Sequence, residues 1–255
     1  MTTILKIGGS VLTDKNKASA ARPETIARIA REIGDSAGPG LILIHGAGSF
    51  GHHQAKEYKL TEGLNDWSIK GILPTHNAVK SLNKMVIDAL QMSGVDALPV
   101  HPLSACTLKN GRIEGMFMDS IRLMLHAGIV PVLHGDVVMD SARGEDILSG
   151  DQLVVYLARE LKADSVGVGS NVDGVLDNNS KVIKKITPAD KENIKGMLSG
   201  SGGVDVTGGM LGKITELMAL AESGIPSRLF NAETPGNVAK LLKNDLSEGT
   251  FICGE

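Results

Sequence analysis

Apolar residues run almost unbroken through residues 4–11, 41–45, 97–101, 129–138, 165–169 and 227–231. Runs of this length without polar alternation suit strands covered on both faces. Between them, apolar positions recur every three or four residues over 23–33, 72–92, 151–161, 210–222 and 235–243, the spacing of helices with one buried face. Strand and helix therefore alternate. The pattern predicts an α/β fold, an open and mainly parallel central sheet sandwiched by helices, in which ligands gather beyond the carboxyl ends of the strands. Turn residues over 171–180 break the periodicity before a short apolar run at 182–186, and SGSGG at 199–203 is the one low-complexity tract.

Composition narrows the function more than the fold. The 255 residues suffice for one large α/β domain or two lobes. A net charge of -3 argues against a general nucleic-acid binder with a broad basic face, and 3% aromatics leave little to stack on bases or sugars. Any anion site must be local. Cys106 and Cys253 show no metal-ligand spacing and read as buried or idle thiols. The chain opens directly on a strand, MTTILKIGGS, and offers no stretch of ~18 uncharged apolar residues, so the expected setting is cytoplasmic and reducing.

Three glycine-rich turns each carry a cation or an imidazole. Residues 4–15, ILKIGGSVLTDK, place Lys6 in a strand, Gly8, Gly9 and Ser10 in the turn, and Lys15 beyond it. A lysine inside an apolar strand needs a partner for its ammonium, and a phosphate at the strand end is one. Residues 45–53, HGAGSFGHH, set Gly46, Gly48 and Gly51 ahead of His52. That spacing also matches a dinucleotide fingerprint, with Asp66 standing in for its acid, while His52 reads either as an anion donor or as a surface imidazole. In DVTGGMLGK, residues 205–213, Thr207, Gly208 and Gly209 open a helix and Lys213 follows one turn on, where its ammonium leans toward the free N–H groups. Ser149 and Asp151 in LSGD read as helix caps, or Asp151 as a spacer between lysines that would otherwise repel. No Walker A string is present.

Taken in order, KIGGSVLTDK, HGAGSFGH, HGDV, LSGD, NVDGV and TGGMLGK resemble the amino acid kinase family over nearly the whole chain. The SFGH run is similar to archaeal isopentenyl phosphate kinases, and fosfomycin kinases share a histidine there. The resemblance implies a single amino acid kinase-like domain over 1–255, its acceptor side roughly 1–165 and its nucleotide side roughly 166–255. It implies ATP and Mg2+ as cofactors, with no protein metal ligand assigned, and a homodimer. Lys6, Gly8, Gly9, Ser10, Gly48, Asp173, Gly209 and Lys213 should then face ATP, with Lys15 near the transferred phosphoryl group and Asp151 organising the lysines. Ala47, His52 and Gly150 should hold the substrate phosphate, and Lys6, Lys15, His52, Asp151 and Lys213 form the catalytic set. The family's HGGG is His45-Gly46-Ala47-Gly48 in this chain.

The absence of an evident catalytic base fits an acceptor that is itself a phosphate ester. With a second pKa of about 6, such an acceptor is already ionised near neutral pH. The expected reaction is ATP-dependent phosphorylation of isopentenyl phosphate to isopentenyl diphosphate. Another small phosphate, phosphonate or carboxylate acceptor, a nicotinamide-dependent oxidoreductase and a nonenzymatic phosphate sensor stay open as alternatives. Ile72, Val79, Leu82, Met85, Val86 and Met92 recur at helical spacing and serve either an apolar slot for the acceptor's tail or plain core packing. The reading requires Lys6, His52 and Lys213 to share one cleft.

Overall fold

The structure, a computed structural model, describes residues 1–200 and 206–254, with the side chains of 198–200 and 206–208 left aside. Expectations placed on residues 201–203 and Asp205, and on the side chains of Thr207 and Gly208, lie outside the described residues.

The chain begins with β1 (Thr3–Ile7), the one-turn α1 (Gly9–Leu12), α2 (Pro23–Gly34) and β2 (Leu41–His45). Helices α3 (Gly48–Glu57) and α4 (Ile69–Met92) precede β3 (Ala97–Pro99), α5 (Pro102–Ala105) and the hairpin of β4 (Cys106–Lys109) and β5 (Arg112–Met116). Then come α6 (Asp119–His126), β6 (Val130–His134), β7 (Asp136–Asp140), β8 (Gly144–Leu148) and α7 (Gly150–Leu161). The last third holds β9 (Ser165–Ser170), β10 (Lys185–Ile186), α8 (Lys191–Gly200), α9 (Val206–Ala221), β11 (Ser227–Asn231), α10 (Asn237–Leu242) and β12 (Thr250–Ile252).

Among the described residues the main sheet has eight strands in the order β10-β12-β11-β9-β1-β2-β6-β3. Every pairing is parallel except β11 with β12. The expected open, mainly parallel sheet between helices is the architecture found. Its unbroken apolar strands follow from the twofold alternation of a strand. Ile4, Ile42 and Ile44 enter one buried cluster, with Leu153, Val154 and Leu157 of α7. Leu5, Ile7, Leu41 and Leu43 enter the other, with Ile26, Ile29 and Ile33 of α2. Lys6 alternates with Leu5 and Ile7 and so shares the face of Ile4, toward α7.

Several sequence expectations are corrected. The strand expected over 4–11 ends at Ile7, because the chain turns at Gly8 into α1. The run 129–138 is not one strand: it breaks at Gly135 into β6 and β7, which belong to different sheets. A second, four-stranded sheet in the order β5-β4-β7-β8 was not legible, since its strands are four or five residues long and β5 is mostly half-buried or exposed. Helices α3 and α6 are additions. The glycines at 48 and 51 hide the periodicity of α3, whereas α6 is only eight residues long.

Candidate functional site

The carboxyl ends of β1, β2, β6 and β9 are stitched to one another through the first residues beyond them. Gly46 N–H donates to Ile7 O at 3.0 Å, Gly135 N–H to His45 O at 3.0 Å, and Gly8 N–H to Gly169 O at 2.8 Å. Above them opens a cleft of about 530 Å³. Lys6, Gly8, Gly9, Ser10, Lys15, Ala47, Gly48, His52, Gly150, Asp151, Gly209 and Lys213 all line it, so the three glycine turns share one site. Among the predicted site residues Asp173 does not line it; its carboxylate instead accepts a hydrogen bond from Asn231 Nδ2 at 2.8 Å. Asp66 lies exposed in the connection between α3 and α4, away from the cleft, and completes no dinucleotide fingerprint.

Asp151 bridges two ammonium groups. Lys6 Nζ donates to its Oδ1 at 2.6 Å, and Lys213 Nζ lies 3.2 Å from each of its oxygens. The helix cap is supplied by Ser149, whose Oγ accepts from Gln152 N–H at 3.2 Å, and this leaves the Asp151 carboxylate for the lysines. Burial works to raise the Asp151 carboxyl, but Lys6 and Lys213 together hold it below its ordinary value. Burial likewise pushes the Lys6 ammonium down, against the pull of Asp151 and with the repulsion of Lys213. Gly150 is bare where Lys6 passes: a Cβ there would stand 3.3 Å from Lys6 Cε.

The glycines divide by what surrounds them. A Cβ on Gly9 would lie 2.3 Å from Gly48 N, and one on Gly46 would lie 2.5 Å from Gly9 N, so these two turns touch backbone to backbone. Gly48 has φ +52, and the Thr13 hydroxyl fills the space beside it, donating to Gly9 O at 2.8 Å and accepting from Ser49 N–H at 3.0 Å. Gly51 faces the Ala47 methyl, which explains how an alanine is accommodated in that turn. The GxGxxG spacing is therefore accounted for by packing. Gly209 differs, since a Cβ built on it would meet nothing within 4 Å. Bare backbone on a helix beside open space is what close approach of a ligand requires.

On α3, Gly48, Gly51, His52 and Ala55 present one helical face to the cleft, with the helix N-terminus at the turn. Thr75 and Val79 of α4, which packs against α3, join Ile147 in giving this end a partly apolar wall. Of the six apolar positions expected on α4, Val79 alone lines the cleft. Leu82 and Val86 are core, Met85 and Met92 are exposed, and Ile72 faces elsewhere.

Sequence reasoning missed what lies beneath the floor. His45, His76, His101 and His134 cluster with ring centroids 5.2–6.4 Å apart. His76 Nδ1 lies 2.9 Å from Oδ2 of Asp136, which lines the cleft. Burial pulls His45 down to about 4 and His134 down to about 3, so both rings are neutral at neutral pH. The available signal was the dipeptide His-Gly occurring twice, each time directly after an apolar strand, at 45–46 and 134–135.

Among the described residues no three histidine, cysteine or carboxylate side chains come together as a metal site, and no helix is long and apolar enough to cross a membrane. Cys106 is buried and its thiol is pushed up to about 12 by burial, while Cys253 is also unbridged. Cys106 is therefore an inert thiol.

The model of the amino acid kinase family matches residues 1–231. Isopentenyl phosphate kinase of Methanothermobacter thermautotrophicus is 40% identical over 269 residues, covering 99% of both chains. That of Haloferax volcanii is 41% identical over 254 residues, covering 99% of this chain and 98% of the relative. A crystal structure of an isopentenyl phosphate kinase superposes with a TM-score of 0.86 at 36% identity, covering 99% of this chain and all of the other.

Proposed function

Since the chain belongs to the amino acid kinase family, we propose that it transfers the γ-phosphoryl group of ATP to isopentenyl phosphate, giving isopentenyl diphosphate and ADP. The observation that carries the proposal is the bridging of Lys6 and Lys213 by Asp151 in the cleft that His52 also lines. Phosphoryl transfer needs positioning and charge stabilisation more than covalent help, and two cations held apart by one carboxylate supply a preorganised grip on a group whose charge shifts during reaction.

An ionised oxygen of the acceptor's phosphate attacks the γ-phosphorus, the bond from that phosphorus to the β,γ-bridging oxygen breaks, and ADP carries away the electron pair. With a second pKa of about 6, the acceptor needs no protein base near neutral pH. Lys6 and Lys213 neutralise charge on the transferred group, and Lys15, which lines the same cleft, adds a third cation near it. His52, Ala47 N–H and Gly150 N–H hold the acceptor's phosphate, while Thr75, Val79 and Ile147 take its hydrocarbon part. Central β1 divides the sheet: β2 and β6 lie on one side of it, which we assign to the acceptor with α3, and β9 and β11 lie on the other, which we assign to the nucleotide with α9. This supports an acceptor side within roughly 1–165 and a nucleotide side within roughly 166–255. Gly8, Gly9, Ser10, Gly48 and Gly209 would face the nucleotide, with Asp173 at its outer margin through Asn231.

Mg2+ would screen the nucleotide's phosphates. Asp151 is committed to lysines and Asp136 engages His76, so the described residues fit an ion carried on the phosphates and not a protein cage. The proposal extends to a homodimer in the cytoplasm; Phe117 and Leu123, 64% and 68% exposed, support a covering partner.

The test is turnover with ATP and Mg2+ across isopentenyl phosphate, fosfomycin and small carboxylates. Preferred formation of isopentenyl diphosphate is expected; no diphosphate from isopentenyl phosphate refutes the acceptor.

A further inference from the structure

The two His-Gly corners are built alike. β2 and β6 are parallel neighbours in which His45 pairs in register with His134, and their rings stack at 5.5 Å. His45 Nδ1 lies 3.0 Å from Gly46 O, and His134 Nδ1 lies 3.1 Å from Gly135 O. A carbonyl only accepts, so each ring is an Nδ1–H donor. Both rings being neutral, each Nε2 is then an acceptor, and each has a donor: Asn83 Nδ2 at 3.0 Å for His45 and His101 Nδ1 at 2.9 Å for His134. Tautomer and ring orientation are fixed from both sides.

In a trans peptide the C=O and the following N–H point in opposite directions. Holding Gly46 O toward the His45 ring therefore turns the N–H of Ala47 away from it. At the second corner the bare Cα of Gly135 has a telling set of neighbours. A Cβ built there would stand 3.7 Å from Ala47 N, 3.5 Å from Gly150 N and 3.3 Å from Leu148 O of the β7–β8 ladder. Gly150 is the first residue of α7, so its N–H has no partner within the helix. Ala47 N–H donates to no other backbone or side-chain group among the described residues. Both residues, with Gly135, line the cleft. Gly135 does not have the left-handed backbone that would itself demand glycine.

We infer that His45 and His134 are positioning residues that lock the Gly46 and Gly135 peptides, and that Gly135 is a specificity-determining residue whose missing side chain keeps open the place where Ala47 N–H and Gly150 N–H meet a phosphoryl oxygen of the acceptor. The inference rests on the acceptor side proposed above and names the parts that shape it. The two N–H groups give direction, the two imidazoles give rigidity, and the bare Cα leaves to an oxygen the space that a methyl group would fill.

The experiment is calorimetric titration with inorganic phosphate and with isopentenyl phosphate, the nucleotide side being filled by a nonhydrolysable ATP analogue. It compares the natural chain with Gly135→Ala, His45→Asn and His45→Gln. Gly135→Ala should fold, its methyl meeting contacts of 3.3 Å or more, and should weaken both anions at least tenfold while the Kd of the ATP analogue stays within twofold. The Asn amide nitrogen replaces Nδ1 and should retain acceptor binding within threefold; the Gln amide reaches Asn83 but not Gly46 O and should lose about tenfold. Unchanged phosphate binding in Gly135→Ala, an equal loss of nucleotide binding, or no phosphate binding by the natural chain overturns the inference. Should the His45 variants not fold, Gly135→Ala decides alone. Phosphate binding that depends on Gly135 in a protein that makes no isopentenyl diphosphate refutes the proposed reaction and leaves the inference standing.

Discussion

At the end of the cleft toward α7 and α9, Lys6 and Lys213 stand as full charges with Asp151 between them. At the end toward β2 and β6, imidazoles that burial keeps neutral lie beneath the floor, and the anion donors we propose are backbone N–H groups with His52 beside them. The difference suits two tasks. A group in transfer carries charge that shifts during the reaction, and ammonium groups already fixed at short range by Asp151 stabilise that charge without rearranging. An acceptor must be held at one angle, and a locked peptide holds direction better than a flexible cation.

Removing the carboxylate at the lysine end should have the largest effect. Asp151→Asn leaves a buried ammonium without its counter-charge, and we expect turnover to fall about 10³-fold and stability by about 3 kcal/mol. Acceptor binding should be nearly unchanged; steady-state kinetics and acceptor titration together check this, and equal loss at both ends would erase the distinction.

His52→Ala probes the other end. A loss of about 10²-fold in kcat/KM for the acceptor is expected, with KM for ATP within threefold, because one charge-assisted contact is deleted on one side only. A comparable rise in KM for ATP would contradict the assignment.

Two glycines separate packing from ligand contact. Gly9→Ala drives a methyl into the backbone of Gly48 and should cost about 2 kcal/mol in chemical denaturation. Gly209→Ala, in a helix with nothing near, should stabilise by up to about 1 kcal/mol and still raise KM for ATP severalfold. A stable Gly209→Ala enzyme with the original KM would remove Gly209 from the nucleotide contacts.

The mildest test is pH. His45 and His134 titrate at about 4 and about 3 in the fold, below the ordinary 6.5 of the unfolded chain. Between these limits the unfolded state binds more protons, so the contribution is complete above pH 6.5 and is lost as pH falls toward 4 and 3, by roughly 1.4 kcal/mol per pH unit per ring. His134→Asn, which keeps a donor for Gly135 O, should flatten the pH dependence of the unfolding free energy between pH 6 and 4.5 by about that amount.

The lysine end was readable in part because charge in an apolar strand is conspicuous: Lys6 needed a partner, for which the sequence suggested a phosphate, while Asp151, the partner found, read either as a helix cap or as a spacer between lysines. The main sheet was readable for the same reason, since unbroken apolar strands have few other uses. The histidine end was not. Its rings act through tautomers and peptide orientation, which no spacing encodes, and Gly135 sits inside a run that reads as one strand. Nor does spacing distinguish Gly9, bare because another backbone touches it, from Gly209, bare beside open space.

The corner at Gly135 has a mechanical consequence. One chain passes from the large sheet to the small one through a single residue, with no loop to absorb motion between β6 and β7. A molecule wedged against that bend braces floor and wall together. Amide exchange in the outlying β4–β5 hairpin should therefore slow when the acceptor binds, although nothing in that hairpin borders the cleft.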